Sequence, residues 1–340
     1  MQMHNAGSRP APTVREVAAL AGVSPMTVSR TMSGGINVRP EVQERVRDAA
    51  AKLGYRTNQS ARNTRLRRSA GLIGFAVTNI GNPYYGQVAL GVEEVAARHG
   101  SGVLIGNTRE ESGTEGRLIA DFAARHVDGL VLVPAGSGPE TAEEIMTGNM
   151  PTVLASRTVS GVRCDSVVVD DIGGARAGTA ALVEAGHSRF AFLGDVARIS
   201  TAKSRYQGFN EALQAAGMSF SPQHLINVGS ADAAHAAVTR LLESAEPPTA
   251  FFSATNRISV GVLSAIRDAT AQVSDAGPAV ACFDDVELAD LLGIPLVVMS
   301  HDAKELGIQA ATLLFERLAG TTTSGPRSVT LPVEVRRFWQ

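Results

Sequence analysis

The sequence predicts an all-α head followed by an α/β core of two lobes, each with a doubly wound parallel sheet. Residues 13–55 contain three short segments with helical spacing of apolar residues and suitable capping residues. From Gly71 onward, short continuous apolar runs alternate with amphipathic helical segments, which is typical of parallel strands covered on both faces. These βα units are too many for one comfortable sheet, so we expect two lobes.

The predicted helices of the head have clear start signals. Thr13 and Glu16 have capping-box spacing, and Val17, Leu20 and Ala21 follow at helical positions. The second helix is predicted to begin at Pro25, with Ser24 as its N-cap. The third is predicted to run from Pro40 to Gly54, with an apolar face made of Val42, Val46, Ala49, Ala50 and Leu53.

The predicted strands of the core are nine apolar runs, at 71–77, 102–106, 129–134, 152–155, 166–169, 189–194, 249–254, 279–283 and 295–299. Between them lie helical stretches such as 85–99, 172–185, 204–216, 257–269 and 303–319.

Charge is divided unevenly along the chain. Residues 1–70 hold 12 Lys and Arg against 4 Asp and Glu, whereas the remaining residues hold 19 against 29. A basic head on an acidic body indicates that only the head meets a polyanion. The alternative is a solvated basic tail, which the regular apolar spacing of this segment disfavours.

The cysteines, the first twelve residues and the length of the apolar runs narrow the class of protein further. Cys164 and Cys282 lie in apolar stretches and have no disulfide or metal-ligand spacing, so we expect reduced core cysteines, no metal and no cofactor. Residues 1–12 are polar and Pro-rich, which predicts a disordered tail and not a signal peptide. No run approaches the roughly 18 apolar residues of a membrane span. We therefore expect a cytoplasmic protein without a membrane segment.

Residues 13–55 resemble the head of the lactose-repressor/galactose-repressor (LacI/GalR) family. The resemblance is carried by T-V-R-E-V-A at 13–18, A-G-V-S-P-M-T-V-S-R at 21–30, V-Q-E-R-V-R at 42–47 and L-G-Y-R at 53–56. It implies a helix-turn-helix domain over residues 13–56, whose second helix enters the DNA major groove.

The resemblance also implies which side chains meet DNA. Pro25, Met26 and Arg30 occupy base-reading positions, and a bidentate Arg30–guanine contact provides about 1–3 kcal/mol of discrimination. Pro25 and Met26 offer only apolar contacts, whereas phosphate binding is expected of Thr27, Ser29 and Asn37. The other positions implied at DNA are Ser24, Tyr55, Asn58, Ala61, Arg62, Thr64 and Arg65.

Residues 57–70 align with the hinge of the family, which folds into a short helix only on operator DNA. Thr64 occupies the position of the Leu that the family wedges into the minor groove. Leu66 lies about 200° further around a helix and cannot replace it. Because an apolar wedge stabilises kinked DNA, we expect a weaker kink and a larger share of phosphate affinity.

The resemblance continues over residues 71–320 as a type I periplasmic-binding-protein-like core. Its markers are N-P-Y-Y at 82–85, V-D-G-L at 127–130, G-H-S-R at 186–189, Y-Q-G-F at 206–209, F-D-D at 283–285 and E-L-G at 305–307. It implies an N-lobe of about 71–168 plus 300–324, a C-lobe of about 169–299 plus 325–340, and dimerisation through residues 71–340.

By matched position, the cleft between the lobes binds a small polar effector such as a sugar or a nucleoside-like molecule. The implied effector-binding residues are Asn79, Tyr84, Tyr85, Arg157, Asp170, Arg205, Asn256 and Asp284. Asn256 stands where the family usually has Asp, and Ala231 where it often has an aromatic residue. Three simpler roles stay open: surface tyrosines for Tyr84 and Tyr85, a helix N-cap for Asp284, and a solvated side chain for Arg205.

Together these features predict a sequence-specific transcription regulator of the repressor type, a homodimer on a palindromic double-stranded operator. One alternative is an architectural or constitutive DNA-binding regulator that has lost effector sensing. Another is an enzyme, since doubly wound folds host many. No G-x-G-x-x-G after a strand, phosphate loop, G-x-S-x-G or H-E-x-x-H motif is present, so we expect no catalytic residues.

Overall fold

The structure, a computed structural model, describes residues 12–32, 38–55, 70–136, 138–148, 150–270, 277–287, 289–322 and 325–339. Contacts divide the chain into two compact units, Met1–Ala70 and Gly71–Gln340. The predicted N-terminal tail, apart from residue 12, and residues 57–69 of the predicted hinge lie outside the described residues.

The head contains α1 (Val14–Ala21), α2 (Pro25–Thr31) and α3 (Pro40–Leu53). The predicted starts are confirmed: Thr13 and Glu16 form a capping box, and the Ser24 side chain accepts a hydrogen bond from the backbone N–H of Thr27. Gly54 ends α3 in the left-handed conformation, with φ 66°.

A small apolar core joins these helices, made of Val17, Ala18, Ala21, Val28, Val46, Ala49 and Ala50. The predicted place of Leu53 on the apolar face of α3 is wrong, because Leu53 is 37% exposed, and Leu20, although it lies in α1 as expected, is 53% exposed. At 100° per residue, Leu20 lies about 100° from the centre of the buried stripe of α1. Leu53 is the last residue of α3, and Tyr55 packs against the core just beyond it.

The core contains twelve strands among the described residues: β1 (Leu72–Val77), β2 (Gly102–Asn107), β3 (Leu130–Leu132), β4 (Thr152–Ala155), β5 (Asp165–Val169), β6 (Phe190–Leu193), β7 (Leu225–Ile226), β8 (Ala250–Ser253), β9 (Ala279–Phe283), β10 (Leu296–Ser300), β11 (Ser328–Leu331) and β12 (Glu334–Phe338). Its helices are α4 (Pro83–Arg98), α5 (Ser112–Ala124), α6 (Pro139–Thr147), α7 (Asp171–Glu184), α8 (Ser200–Ala215), α9 (Ala231–Leu242), α10 (Asn256–Thr270) and α11 (Ala303–Leu318). All nine predicted apolar runs form strands.

The strands form two six-stranded sheets, one for each lobe. Their orders are β11-β5-β4-β3-β1-β2 in the first lobe and β12-β10-β9-β8-β6-β7 in the second. The pairs of the first sheet are parallel. In the second sheet β12 pairs antiparallel with β10 at the edge, and the other pairs are parallel, so the predicted parallel sheets are confirmed with one antiparallel edge strand.

The predicted boundary at residue 325 is also wrong. Ser328–Leu331 pairs with β5 in the first sheet, and the chain enters the second sheet only at β12. Val329 and Leu331 pack against the buried core as strand β11, which explains why this segment stays in the first lobe.

Close helix contacts stiffen each lobe. In the first lobe, a Cβ added at Gly91 of α4 would lie 2.1 Å from the Lys304 carbonyl oxygen, and one at Gly307 of α11 would lie 2.1 Å from the Val88 carbonyl oxygen. In the second lobe, a Cβ at Gly208 of α8 would lie 2.2 Å from the Ile172 carbonyl oxygen. Glycine is required at these crossings because the helix backbones touch.

The chain passes between the lobes three times through short links. These are Asp170 between β5 and α7, His301–Asp302 between β10 and α11, and Pro332–Val333 between β11 and β12. None of the helices within the described ranges is long and apolar enough to cross a membrane.

Candidate functional site

The second helix of the head presents most of its predicted DNA-reading side chains to solvent. Ser24, Pro25, Ser29 and Arg30 are exposed, and Met26 is 65% exposed. Thr27 is half-buried, and its hydroxyl lies 2.9 Å from the Ser24 hydroxyl. Both hydroxyls therefore help to start the helix as well as standing at its exposed end.

A hydrogen bond from α3 fixes the turn that precedes this helix. Arg45 donates from Nη2 to the Ala21 carbonyl oxygen at 2.8 Å, where α1 ends. Val28 on the inner face of α2 is fully buried. The helix α2 is therefore held by its core face and by its leading turn.

The remaining predicted DNA positions lie elsewhere. Tyr55 is half-buried against the head core. The others lie outside the described residues: Asn37, Asn58, Ala61, Arg62, Thr64 and Arg65.

A cavity of about 300 Å³ lies between the two lobes of the core. It is lined by residues that follow β1, β2 and β4 in the first lobe, and β6, β8 and β9 in the second. This is the edge where the carboxyl ends of parallel strands meet. Six of the eight predicted effector residues line it through side chains or backbone: Asn79, Tyr84, Tyr85, Arg157, Arg205 and Asp284.

Arg205 forms the buried charge centre of the second lobe. It is 6% exposed and donates to Asp171 Oδ1 at 2.7 Å and to the Ala254 carbonyl oxygen at 2.6 Å. Asp284 Oδ1 lies 3.5 Å from its Nη2, and the Phe283 ring centroid lies 3.7 Å from its Cζ. The alternatives of a solvated Arg205 and an N-cap Asp284 are therefore replaced by a buried ion-paired cluster. Burial raises the pKa of Asp171, and Arg205 opposes that rise.

The first lobe contributes a second arginine pair. Arg157 binds both carboxylate oxygens of Glu110, at 2.6 and 2.9 Å, and donates to the Pro134 carbonyl oxygen at 3.0 Å. Its side chain is only 10% exposed. Burial lowers the pKa of Arg157, but Tyr85 and Glu110 outweigh this and the net shift is upward. Arg157 thus stays charged and fixed beside the cavity.

Tyr84 is packed against neighbouring side chains, so its ring is not free to stack on a ligand. Its hydroxyl lies 2.9 Å from the Ser156 hydroxyl and 3.2 Å from Nε2 of His301. Its ring makes edge contacts with Tyr85 and His301, with centroids 5.1 and 5.4 Å away. Burial is the main cause of the raised pKa of Tyr84 and of the lowered pKa of His301. At neutral pH this cluster is therefore an uncharged contact between the first lobe and the His301–Asp302 link.

Asn256 does not line this cavity, because its amide meets Asn82 across the lobes. Asn82 Nδ2 lies 3.1 Å from Asn256 Oδ1, and Asn256 Nδ2 lies 2.8 Å from Asn82 Oδ1. Asn256 does line a neighbouring cavity of about 500 Å³, together with Tyr84 and Asp284. The amide of Asn256 thus forms a neutral hydrogen-bonded pair between the lobes.

Three other predicted residues take mainly structural positions. Asp170 lies outside the lining of this cavity, and its Oδ1 accepts a hydrogen bond from the backbone N–H of Gly173 at the start of α7. Tyr85 is 8% exposed, and its hydroxyl accepts a hydrogen bond from Thr78 at 2.8 Å. Asn79 Oδ1 accepts from the backbone N–H of Gly81 at 3.0 Å.

Sequence analysis missed several residues of the site. Arg109 and Glu110 follow β2 and both have positive φ, 58° and 60°. Ser156, with φ 63°, follows β4, and Arg198 and Arg257 lie near the starts of α8 and α10. Their one available signal was position just after a predicted strand. In the part of the chain that the structure describes, no group of three or more His, Cys, Asp or Glu is arranged to hold a metal ion.

Comparison with known proteins decides the family. Residues 13–58 match the family of bacterial regulatory proteins of the lacI family, and residues 179–337 match the periplasmic binding protein-like domain. The HTH-type transcriptional regulator CelR of Thermobifida fusca is 31% identical over 327 residues, covering 94% of this chain and 95% of that protein. The chain belongs to the LacI family. This LacI-family protein is also 28% identical over 305 residues to the catabolite control protein A of Priestia megaterium, covering 89% and 91% of the two chains.

Solved structures agree with this assignment. A CelR–cellobiose complex superposes with a TM-score of 0.70 and 28% identity, over 96% of this chain and 99% of that one. A lac repressor bound to ONPG has a TM-score of 0.80 over 97% and 99% of the chains, and at 24% identity it supports the fold alone. The LacI-family chain described here is a DNA-binding transcription regulator with a type I periplasmic-binding-like core, and the enzyme alternative is discarded.

Proposed function

We propose that this regulator is a cytoplasmic homodimeric repressor whose affinity for a palindromic operator is controlled by a small polar effector. One observation carries the proposal: a helix-turn-helix and a polar cavity lined by two lobes occur in the same chain. Cavities of this kind close or open around ligands by movement of the lobes. A relative of this chain, CelR, has been solved with cellobiose, which supports ligand binding in the corresponding core.

Base reading is assigned to the exposed end of α2. Arg30 contacts guanine through its planar guanidinium, and Met26 with Pro25 provides apolar contact to a thymine methyl. Ser24, Thr27 and Ser29 bind phosphate or sugar, which orients the helix without reading sequence. Arg62 and Arg65 in the proposed hinge add phosphate affinity, and Asn37, Tyr55, Asn58, Ala61 and Thr64 complete the proposed contact surface.

A symmetric dimer is proposed through the core. Large apolar side chains are exposed there, among them Leu90 at 53%, Val260 at 63% and Leu291 at 72%. A second copy of the chain would remove this apolar surface from water. Two heads related by a two-fold axis then require a palindromic site with half-sites about one helical turn, or a multiple of it, apart.

Effector control requires that ligand and operator share one conformational equilibrium. A ligand that prefers one arrangement of the lobes changes operator affinity, with a coupling of typically about 1–3 kcal/mol. By reciprocity, operator DNA must change the effector's affinity by the same factor. A regulator that binds its operator but shows no such coupling would be the constitutive alternative.

The test is selection of bound DNA from a random library, followed by sedimentation and titration on the selected site. We expect a palindrome, a dimer at micromolar protein, and a change in operator affinity with at least one sugar or nucleoside. A monomer on a non-palindromic site would contradict the dimer, and an unchanged operator affinity across the ligand panel would contradict effector control.

A further inference from the structure

The cavity between the lobes is rich in arginine. Five arginines line it: Arg109, Arg157, Arg198, Arg205 and Arg257. Among the residues that the structure describes, three acidic ones share the lining, namely Glu110, Asp195 and Asp284. A neutral polar ligand needs no such excess of cationic groups, and the arginines differ in how far the protein neutralises them.

Two of the five are neutralised by carboxylates in close ion pairs. Arg157 is held in a bidentate pair by Glu110, and Arg205 is held by Asp171 and Asp284. Both guanidinium groups are nearly buried, at 10% and 7% side-chain exposure. These arginines organise the walls, and their charge is matched within the protein.

The other three lack a comparable partner. Arg198 approaches Asp195 only at 3.8 Å, and its side chain is 69% exposed. Arg109 and Arg257 form no ion pair with any residue that the structure describes. Arg257 also borders the neighbouring cavity, where Asp285 and Glu287 lie, yet neither carboxylate is within ion-pair distance. The cavity therefore carries uncompensated positive charge from both lobes.

The local backbone makes this charge stronger. Arg257 lies in the first turn of α10, and Arg198 directly precedes Ile199, the N-cap of α8. Neither helix has an acidic residue in its first turn, and the Ile199 side chain makes no capping bond. Helix starts favour anions, so an arginine placed there raises the local positive potential. Asp195 and Asp284 offset part of it, since their carboxylate oxygens lie 3.1 Å from the Arg198 backbone nitrogen and 3.4 Å from the Asn256 backbone nitrogen.

The turn that carries Arg109 is also held in an unusual conformation. Arg109 and Glu110 are consecutive non-glycine residues with φ of 58° and 60°. Such a conformation costs energy and persists where the surroundings demand it, often at binding sites. The Glu110–Arg157 pair anchors this turn, which sets Arg109 at the cavity wall.

We propose that the effector is a small organic anion, a sugar-sized polyhydroxy molecule with a phosphate or carboxylate group. Arg198 and Arg257 of the second lobe bind the anionic group, and Arg109 reaches it from the first lobe. The cavity of about 300 Å³ is at the small end of ligand pockets, which favours one sugar ring over an oligosaccharide. This inference rests on the proposed function, because it assumes that the cavity takes an effector.

The test compares neutral sugars with their anionic derivatives by calorimetry and thermal shift on the full-length dimer. The panel pairs glucose with glucose 6-phosphate and glucuronate, ribose with ribose 5-phosphate, and galactose with galacturonate, with inorganic phosphate as an ionic control. At least one anionic member should bind about tenfold or more tightly than its neutral parent. Whether phosphates or carboxylates bind identifies the anionic group.

Matched variants test whether Arg198 and Arg257 bind the anionic ligand. Arg198→Gln and Arg257→Gln should each weaken the anionic ligand about tenfold, and Arg257→Lys should retain part of the affinity because it keeps the charge. Arg240→Gln, at an exposed arginine outside both cavities, should leave binding unchanged. Melting without ligand shows that each variant is folded.

Three results would overturn the proposal: neutral parents that bind as well, glutamine variants that bind the anion unchanged, or no binding by any anionic member. Operator titration separates this failure from failure of the proposed function. If a neutral sugar shifts operator affinity, effector control holds and the anionic assignment is wrong. If no member of either class shifts it, effector control fails as well.

Discussion

Asn82 and Asn256 join the two lobes through a reciprocal pair of amide hydrogen bonds. Asn82 is the N-cap of α4 in the first lobe, and Asn256 is the first residue of α10 in the second. The Asn82 amide is fixed in orientation, because its Oδ1 also accepts a hydrogen bond from the backbone N–H of Tyr84. The pair therefore demands an amide, and not a carboxylate, at position 256.

Asn256→Asp should open the lobes. The variant loses the N–H that bonds to Asn82 and places a carboxylate next to Asp284, whose Oδ2 lies 3.4 Å from the Asn256 backbone nitrogen. We expect a loss of about 1–3 kcal/mol in unfolding free energy and a larger radius of gyration in small-angle scattering. Asn79→Asp is the control, since it adds the same charge to the cleft and keeps its acceptor for Gly81. Equal radii of gyration for Asn256→Asp and wild type would contradict the role of the pair.

Asp165→Asn should remove an acid-sensitive part of the stability. Burial raises the pKa of Asp165, but hydrogen bonds from Arg317 and Arg327 outweigh it and lower the pKa from 3.8 to about 2. This stabilisation is present above pH of about 4 and is lost as the pH falls toward 2. At neutral pH the variant should lose about 2 kcal/mol in urea unfolding.

The control for this experiment is Asp121→Asn, at an exposed carboxylate on α5. It should change the unfolding free energy little at any pH. A loss for Asp165→Asn that stays constant from neutral to acid pH would show that the charge of Asp165 is unimportant.

Glu115→Gln should remove a part of the pH dependence in which a rise in pH, and not a fall, lowers the stability. Burial raises the pKa of Glu115 to about 7, against a hydrogen bond from the Ala135 backbone N–H at 2.6 Å. Because the folded state keeps the proton more tightly than the unfolded chain, stability falls as pH rises from 4.5 through about 7. The variant should abolish this fall, which amounts to at most about 3 kcal/mol by pH 8.

Glu246→Gln, at an exposed loop carboxylate, serves as the comparison. Urea unfolding at pH 5 and pH 8, roughly either side of the titration, gives the two free energies. If Glu115→Gln retains the pH slope of the wild type, the titrating group lies elsewhere.

Arg30→Ala should lose affinity for the selected operator far more than for random DNA, because it removes base reading. Arg65→Ala should weaken both DNAs about equally and reduce the salt slope by roughly one unit. Fluorescence anisotropy at several salt concentrations measures both effects. Equal losses on both DNAs for Arg30→Ala would mean that α2 is not the reading helix.

Thr64→Leu should tighten operator binding and increase DNA bending, because an apolar wedge stabilises an unstacked base step. Binding by anisotropy and bending by gel phasing measure the two effects. A variant that binds the palindrome no better than wild type would mean that residues 57–70 are a basic tether and no hinge helix.

Much of the fold was predictable from local signals. Thr13, Ser24 and Pro25 mark helix starts by short-range chemistry, and continuous apolar runs mark buried parallel strands. The last two strands were missed because neither β11 nor β12 contains a fully buried residue and the β5 partner of β11 lies far away in sequence. Leu53 was misplaced on the apolar face because it is the last residue of α3.

The candidate site was less predictable, because its chemistry depends on pairing. Family position pointed to Arg157 and Arg205, but only the structure shows that Glu110 and Asp171 neutralise them. Conversely, Arg198 and Arg257 look like ordinary surface arginines in the sequence. What distinguishes them from Arg157 and Arg205 is the lack of a close carboxylate partner in the folded structure, and the sequence does not show this pairing.

The three links between the lobes restrict how the regulator can move. Asp170, His301–Asp302 and Pro332–Val333 offer few rotatable backbone bonds, and the ring of Pro332 fixes one of them. Two stiff lobes joined by three such links can move relative to each other essentially by a single hinge rotation. We therefore expect ligand binding in the proposed site to change one angle between the lobes. Substitutions at Pro332 and Val333, which lie outside the lining of both cavities, should retune the dose response of the regulator while leaving the DNA-reading helix and the ligand pocket chemically intact.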